Sequence, residues 1–224
     1  MKTFALILAG GKGLRMGAEL PKQFLPLEGK PMLMRTLEAF HLADSSTVLI
    51  LVLPISHQAY WKQLCADYHF TLKHQIANGG ETRFESVANG LKLVEDQGVI
   101  AVHDGVRPLV SPNLIAQCYH SAREKGSVVP VFAVVESLRR LDDSGSIAVD
   151  RSRYVSVQTP QTFRSEILLE AYQQENQTLF TDDASVVEAA GFKIFLLEGE
   201  QTNIKITTPV DLLLAEQILI KKLC

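Results

Sequence analysis

The residues best suited to chemistry begin at the end of the first apolar run. Gly10, Gly11 and Gly13 follow Phe4-Ala5-Leu6-Ile7-Leu8, and Arg15 and Lys22 stand just beyond them. Glycine lets the backbone turn sharply and approach a ligand closely. A glycine loop after a buried strand, with two cations at its rim, suits a polyphosphate. Two familiar glycine fingerprints do not fit. G-x-G-x-x-G counted from Gly11 meets Met16 where its third glycine should be, and G-x-x-x-x-G-K-[ST] is absent. Arg15 and Lys22 could be solvated surface charges. Against that, ligands of open α/β sheets gather at the carboxyl ends of strands, where this loop lies.

Other candidates share that edge. Asp104 follows a second buried run, Val99-Ile100-Ala101-Val102. A carboxylate there can hold Mg²⁺ with phosphate oxygens completing the shell, or it can stabilise a loop. Arg107 can bind substrate or pair with Asp104. His103 reads as a packed histidine, and no histidine or serine elsewhere stands in a nucleophile pattern, which disfavours a hydrolase triad. Arg83 and Ser86 sit three apart in a helix's first turn, just after Gly79-Gly80. They could donate to a base, ribose or phosphate, or serve as caps. Asp182-Asp183 also opens a helix, where carboxylates favour the dipole, so the pair reads as structural. Arg151, Thr159 and Lys205 come late in the chain and are bland taken singly.

These side chains need elements to position them. Apolar runs alternate with helical patterns, which predicts the α/β class, with a parallel or mixed sheet covered by helices. Strands are expected at about 3–8, 47–54, 99–102, 128–135 and 193–197, with a weak one near 71–76. The run TVLILVLP from Thr47 to Pro54 reads as a central strand buried on both faces. Helices are expected after Pro31, at about 57–68, 82–96, 165–175 and 181–190, and from Thr208-Pro209 onward. Ser111-Pro112 is a helix start, with a cap and then proline, and that helix closes near Gly126. From about 136 to 160 the pattern changes to short alternations around Asp142-Asp143-Ser144-Gly145, a hairpin signal. This block carries too little apolar surface for a domain of its own. It reads as a β-arm projecting from a single domain, residues 1–224, and packing on a second subunit.

Composition bounds the function classes. Hydrophobic content of 46 % and charged content of 21 % are ordinary for a globular protein. A formal charge of -3 argues against a nucleic-acid surface protein. The apolar stretch Val48–Ile55 is interrupted by Pro54 and falls far short of the ~20 residues of a membrane helix. The chain enters a strand directly, without a secretory pattern, so a cytoplasmic location is expected. Cys65, Cys118 and Cys224 are scattered and read as reduced structural thiols.

Seven motifs occur in order: Leu-Ala-Gly-Gly-Lys-Gly-Leu-Arg-Met-Gly (8–17), Pro-Lys-Gln-Phe (21–24), Gly-Gly-Glu-Thr-Arg-Phe-Glu-Ser-Val (79–87), His-Asp-Gly-Val-Arg-Pro (103–108), Gln-Thr-Pro-Gln (158–161), Thr-Asp-Asp-Ala-Ser (181–185) and Asn-Ile-Lys-Ile-Thr (203–207). In this series the chain resembles the 2-C-methyl-D-erythritol 4-phosphate cytidylyltransferases, CTP-dependent enzymes of the non-mevalonate isoprenoid pathway. The first motif is shared by many sugar nucleotidyltransferases; the series is specific for the cytidylyltransferase group. Ribitol-5-phosphate cytidylyltransferases share most of it. Many erythritol-phosphate enzymes open with Pro-Ala-Ala-Gly, carry Ala-Ala or Ala-Val where Gly105-Val106 stand, and have Asp-Thr at Glu136-Ser137. Val149-Asp150-Arg151 looks like the erythritol-phosphate pattern and favours that substrate.

The resemblance implies a three-layer α/β/α Rossmann-like nucleotidyltransferase fold with a mostly parallel sheet. It implies attack of a polyol phosphate on the α-phosphorus of CTP with loss of pyrophosphate. Arg15 and Lys22 would stabilise the transition state, and Arg151 and Lys205 would hold the substrate phosphate. Ala9, Gly10, Gly11, Gly13, Gly80, Arg83, Ser86, Asp104 and Gly105 would bind the nucleotide. Arg107, Ser137 and Thr159 would join Arg151 and Lys205 around the polyol phosphate. Mg²⁺ is the implied cofactor, with Asp104 beside it, and a homodimer exchanging arms is the implied assembly. A non-catalytic nucleotide-binding regulator is disfavoured by Arg15 and Lys22 together, and an oxidoreductase by the failed dinucleotide fingerprint.

Overall fold

The structure is a computed structural model that describes residues 1–10, 20–143, 145–176 and 180–223. Gly11, Gly13, Arg15, Ser144 and Cys224 lie outside the described residues. In chain order the elements are β1 (Lys2–Leu8), β2 (Pro26–Leu27), β3 (Lys30–Pro31), α1 (Met32–Ala43), β4 (Val48–Leu53), α2 (Ile55–Asp67) and β5 (Gln75–Asn78). They continue with α3 (Arg83–Leu91), β6 (Gly98–Asp104), α4 (Pro112–Lys125), β7 (Ser127–Ala133), β8 (Leu138–Asp142), β9 (Gly145–Val149), β10 (Val155–Val157) and β11 (Gln161–Arg164). The chain ends with α5 (Ser165–Ala171), α6 (Asp183–Ala189), β12 (Leu196–Glu198) and α7 (Pro209–Leu223).

The main sheet runs β10-β7-β11-β6-β1-β4-β5, with β12 also on β7. β1 pairs in parallel with both β4 and β6, and β4 with β5, while β11 runs antiparallel between β6 and β7. Successive strand side chains point to opposite faces, and here both faces are covered. Ala5, Ile7, Leu49, Leu51, Val99 and Ala101 pack with α1, α2 and α4. Phe4, Leu6, Ile50, Val52, Ile100 and Val102 pack with α3, α5 and α6. The result is the expected three-layer α/β/α arrangement with a mostly parallel sheet. A smaller cluster of Leu27, Met32, Val106, Leu109, Ile206 and Ala215 seats α7 beside the carboxyl end of β6.

Helix starts follow local chemistry. Ser111 accepts from the Leu114 N–H at 3.0 Å ahead of Pro112, and Thr82 accepts from the Glu85 N–H at 3.1 Å to open α3. Some boundaries differ from the sequence expectation. The weak strand lies at Gln75–Asn78, not 71–76: it is a sheet edge with one buried residue, so its apolar signal is faint. α3 stops at Leu91, not near 96. Leu93 and Val94 still reach the core, but through tight turns to the Gly90 and Leu91 carbonyls. β12 lies at Leu196–Glu198, later than the expected 193–197. The hairpin ribbon β8–β9 spans Leu138–Val149, shorter than 136–160, because Val155–Val157 returns to pair with β7. Among the described residues no helix is long and apolar enough to cross a membrane.

Candidate active site

The carboxyl ends of β1, β4, β5 and β6 are tied together by backbone hydrogen bonds. Ala9 N–H donates to Val52 at 2.9 Å, Gly79 N–H to Leu53 at 3.0 Å, and Gly105 N–H to Leu8 at 2.8 Å. Above this edge opens a cavity of about 290 Å³. One side is built by Ala9, Gly10, Gly80, Arg83 and Ser86, and the other by Lys22, Asp104 and Lys205. Lys205, a hundred residues further along the chain, thereby brings its cation to the Asp104 carboxylate.

The first side rests on α3. Ser86 Oγ donates to the Thr82 carbonyl at 2.9 Å and accepts from the Gly80 N–H at 3.0 Å. Gly80 has to be glycine, since a Cβ there would stand 2.3 Å from Glu85 Cβ. Arg83 is the first residue of α3, and both its terminal nitrogens reach Asp183, at 2.7 and 2.6 Å. Burial alone would lower the Arg83 pKa, but the Asp183 carboxylate outweighs it and the guanidinium is held charged. Asp182, by contrast, is the α6 cap, accepting from the Ser185 N–H at 2.9 Å.

The second side centres on Asp104 at the end of β6. Lys205 Nζ lies 3.0 Å from its Oδ2, and Arg107 Nε 3.4 Å from the same atom. Burial pushes the Asp104 carboxyl up, but Lys205, then Arg83 and Arg107, pull harder and hold it down to about 2. It is therefore an anion throughout the physiological range. Lys22 sits in a short 3-10 turn, Lys22–Phe24. That turn is anchored by the buried Phe24 ring, 5.2 Å from Tyr60, and by Gln23 Nε2 donating to the Ala9 carbonyl at 2.8 Å.

A buried network sets these groups from below. The Asp104 N–H donates to Thr159 Oγ1 at 3.1 Å, Thr159 Oγ1 lies 3.0 Å from His103 Nδ1, and His103 Nε2 lies 3.2 Å from the Arg107 carbonyl. One assignment satisfies every partner: the threonine hydroxyl donates to Nδ1, and a neutral imidazole donates through Nε2. Burial pushes the His103 imidazole down to about 4, against the opposing pull of Asp104. Asn203 is fully buried. Its Nδ2 donates to the Thr159 carbonyl at 2.8 Å, and its own carbonyl accepts from Arg107 Nη1 at 2.8 Å. Gln158 Nε2 donates to the Glu200 carbonyl at 2.7 Å. With the Ile206 N–H on the Val106 carbonyl at 2.9 Å, these bonds pin the segment that carries Lys205.

Several sequence candidates take a different place. Arg107 and Thr159 are buried beneath the cavity, where they orient Asp104 and Asn203. Gly105 is a packing position: a Cβ would meet Leu33 Cδ1 at 2.9 Å and the Leu8 carbonyl oxygen at 3.0 Å. Arg151 and Ser137 are exposed at the root of the arm, where Arg151 donates to the Val135 carbonyl, and neither lines this chain's cavity. Gly11, Gly13 and Arg15 lie outside the described residues. Sequence reading did not single out Gln158, Asn203 or the Asp183–Arg83 pairing. The signal was present in the motifs at 158–161, 181–185 and 203–207, but nothing local says that they converge.

Among the described residues, no group of three or more His, Cys, Asp or Glu side chains could cage a metal. One permanently ionised carboxylate at a cavity rim fits Mg²⁺ only in the mode where phosphate oxygens and water complete the shell. Asp104 meets that requirement.

Comparison with known proteins identifies the relatives of this chain. A family model described as IspD, 2-C-methyl-D-erythritol 4-phosphate cytidylyltransferase, matches residues 3–221. The chain is 58 % identical over 219 residues to the enzyme of that name from Phocaeicola vulgatus, covering 98 % of this chain and 100 % of the relative. The crystal structure of the Thermus thermophilus 2-C-methyl-D-erythritol 4-phosphate cytidylyltransferase superposes with a TM-score of 0.78 at 33 % identity, covering 97 % of this chain and 98 % of the other. A 4-diphosphocytidyl-2C-methyl-D-erythritol synthase from Anaerococcus prevotii superposes with a TM-score of 0.82 at 27 % identity, covering 97 % and 96 %. With motifs, fold and full-length similarity in agreement, the chain belongs to the 2-C-methyl-D-erythritol 4-phosphate cytidylyltransferase family.

Proposed function

We propose that this protein transfers CMP from CTP to 2-C-methyl-D-erythritol 4-phosphate, releasing pyrophosphate and forming 4-diphosphocytidyl-2-C-methyl-D-erythritol. A single observation carries the reading: the Gly80, Arg83 and Ser86 group and the Asp104–Lys205 ion pair, with Lys22, line one cavity. A nucleoside suits the first side and phosphates suit the second.

In the reaction, an oxygen of the polyol phosphate attacks the α-phosphorus of CTP. The bond from that phosphorus to the bridging oxygen breaks, and the electron pair leaves with pyrophosphate. Negative charge grows on the non-bridging oxygens, so catalysis is positioning and placed positive charge, without a covalent intermediate. Lys22, with Arg15 as the family resemblance implies, would neutralise that charge. Lys205, held by Asp104 and by the pinned segment from Asn203 to Ile206, presents the attacking phosphate. When bound, Mg²⁺ supplies charge neutralisation of the triphosphate, with Asp104 as its protein ligand.

The arm supports a dimer. Leu141 and Ile147 on the ribbon and Val155 after it are exposed. Arg151 stands outside its own chain's cavity, as expected if it serves the cavity of a second copy. Both substrates are polyanions that do not cross membranes unaided, which supports a cytoplasmic location. Incubating the purified protein with CTP, Mg²⁺ and either methylerythritol phosphate or ribitol 5-phosphate, while following pyrophosphate, tests the reading. Release with the first polyol is expected; release only with ribitol 5-phosphate, or CTP binding without release, would refute it.

A further inference from the structure

We infer that Asp183, locked by Tyr172, is the positioning residue for Arg83: it fixes the guanidinium at the nucleoside end of the cavity and cancels its charge there. The inference rests on the nucleotide-binding reading above and extends it to residues outside the cavity.

Asp183 does more than complement a helix dipole. A carboxylate serving only the dipole belongs at the solvated helix end, yet Asp183 is completely buried. The capping work is done by its neighbour Asp182, which accepts from the Ser185 N–H and from Gln161 Nε2 at 2.7 Å. Asp183 instead accepts both terminal nitrogens of Arg83, a hundred residues away, in a two-pronged ion pair. It also accepts the Tyr172 hydroxyl at 2.7 Å on Oδ1. The Tyr172 ring stacks on Phe84, the residue after Arg83, with centroids 4.7 Å apart and planes inclined by 21°. Phe84 stacks in turn on Phe180, two residues before the α6 cap. Three elements thus converge on one guanidinium from behind. The Gln161 side chain fastens α6 itself, since its Oε1 accepts from the Ala184 N–H at 2.8 Å.

The arrangement has a chemical consequence. The fork uses part of the guanidinium's donor set, and Arg83 is among the residues that line the cavity. Its charge is neutralised in place, so this end recognises a neutral ligand portion, hydroxyls or a carbonyl edge, by direction. The phosphates are left to the part of the cavity lined by Lys22 and Lys205. Arg83 touches ligand; Asp183 and Tyr172 act through it.

The test measures CTP binding by calorimetry in the presence of Mg²⁺, and steady-state KM for each substrate, in wild type, Asp183→Asn and Tyr172→Phe. Asp183→Asn should weaken CTP binding and raise its KM by about tenfold or more, with kcat and the polyol-phosphate KM within about threefold of wild type. Tyr172→Phe, which leaves the ion pair intact, should raise the CTP KM by about two- to threefold in the same selective way. Unchanged or tighter CTP binding in folded Asp183→Asn overturns the inference, as does a proportional loss in both KM values and kcat. If Asp183→Asn does not fold, Tyr172→Phe decides, and an unchanged CTP KM overturns it. Wild-type protein that binds no CTP overturns both readings, whereas wild-type binding with indifferent variants overturns only this one.

Discussion

Replacing His103 by glutamine, or lowering the pH around it, perturbs the hydrogen-bond network beneath Asp104 by an amount that can be worked out. The imidazole is wholly buried, and that burial is the largest influence on it, lowering it from the usual 6.5 to about 4. In the unfolded chain it titrates near its ordinary value, about 6.5. Between those two limits the unfolded state binds a proton that the native state does not, so stability rises with pH and falls as pH drops through this interval. At about 1.4 kcal/mol per pH unit, the interval is worth about 3 kcal/mol. Asp104 acts in a lower range. Its depressed carboxyl contributes stability that is complete above about pH 4 and lost as pH falls towards 2. Urea unfolding from pH 7.5 to 4.5 should therefore show wild type losing about 2 to 3 kcal/mol. His103→Gln should start lower, having lost the edge-on contact with Phe40, but follow a flatter curve over the same range. Parallel curves for the two proteins would refute a buried neutral imidazole at this place.

Lys22→Ala should lower turnover at least ~100-fold while the protein remains folded, the scale of losing one charge-stabilising donor; near-normal turnover would remove Lys22 from the mechanism. Arg151→Ala should weaken use of the polyol phosphate. Mixed with Lys22→Ala it should regain activity, because one site of each mixed dimer would then hold both wild-type residues; mixtures no more active than either parent would argue against a shared site. Gly80→Ala should cost about 1 to 3 kcal/mol of stability and weaken CTP binding, since the new Cβ displaces Glu85 and with it the start of α3; unchanged unfolding and CTP affinity would contradict the close approach.

The two faces of the sheet were legible because they depend on short-range pattern. TVLILVLP reads as a doubly buried strand, and β4 is one, with Leu49, Leu51 and Leu53 on one face and Ile50 and Val52 on the other. Ser111-Pro112 reads as a helix start, and the Ser111 cap bond opens α4. β5 and the end of α3 were less legible. An edge strand buries little, and Leu93 and Val94 satisfy their apolar pattern from turns as well as they could from a helix.

What the sequence by itself determined was the family, the alternating architecture and the grouping of Lys22, Gly80, Ser86, Asp104 and Lys205 as candidates. Asp104 sits at a strand's end and Gly80 and Ser86 beside a helix's start, places written in neighbouring residues; Lys22 follows the glycine run, and Lys205 was legible only through the family resemblance. Only the tertiary structure decided what surrounds each one. It turned Arg107 and Thr159 into supports beneath Asp104 and carried Asp183 from a helix end to the back of Arg83. It also set Asn203 to hold the segment of Lys205. Apart from the local Arg107–Asp104 pair, these are contacts between segments 44 to 100 residues apart. Their strength comes from burial and from mutual orientation, and neither exists until the layers have packed.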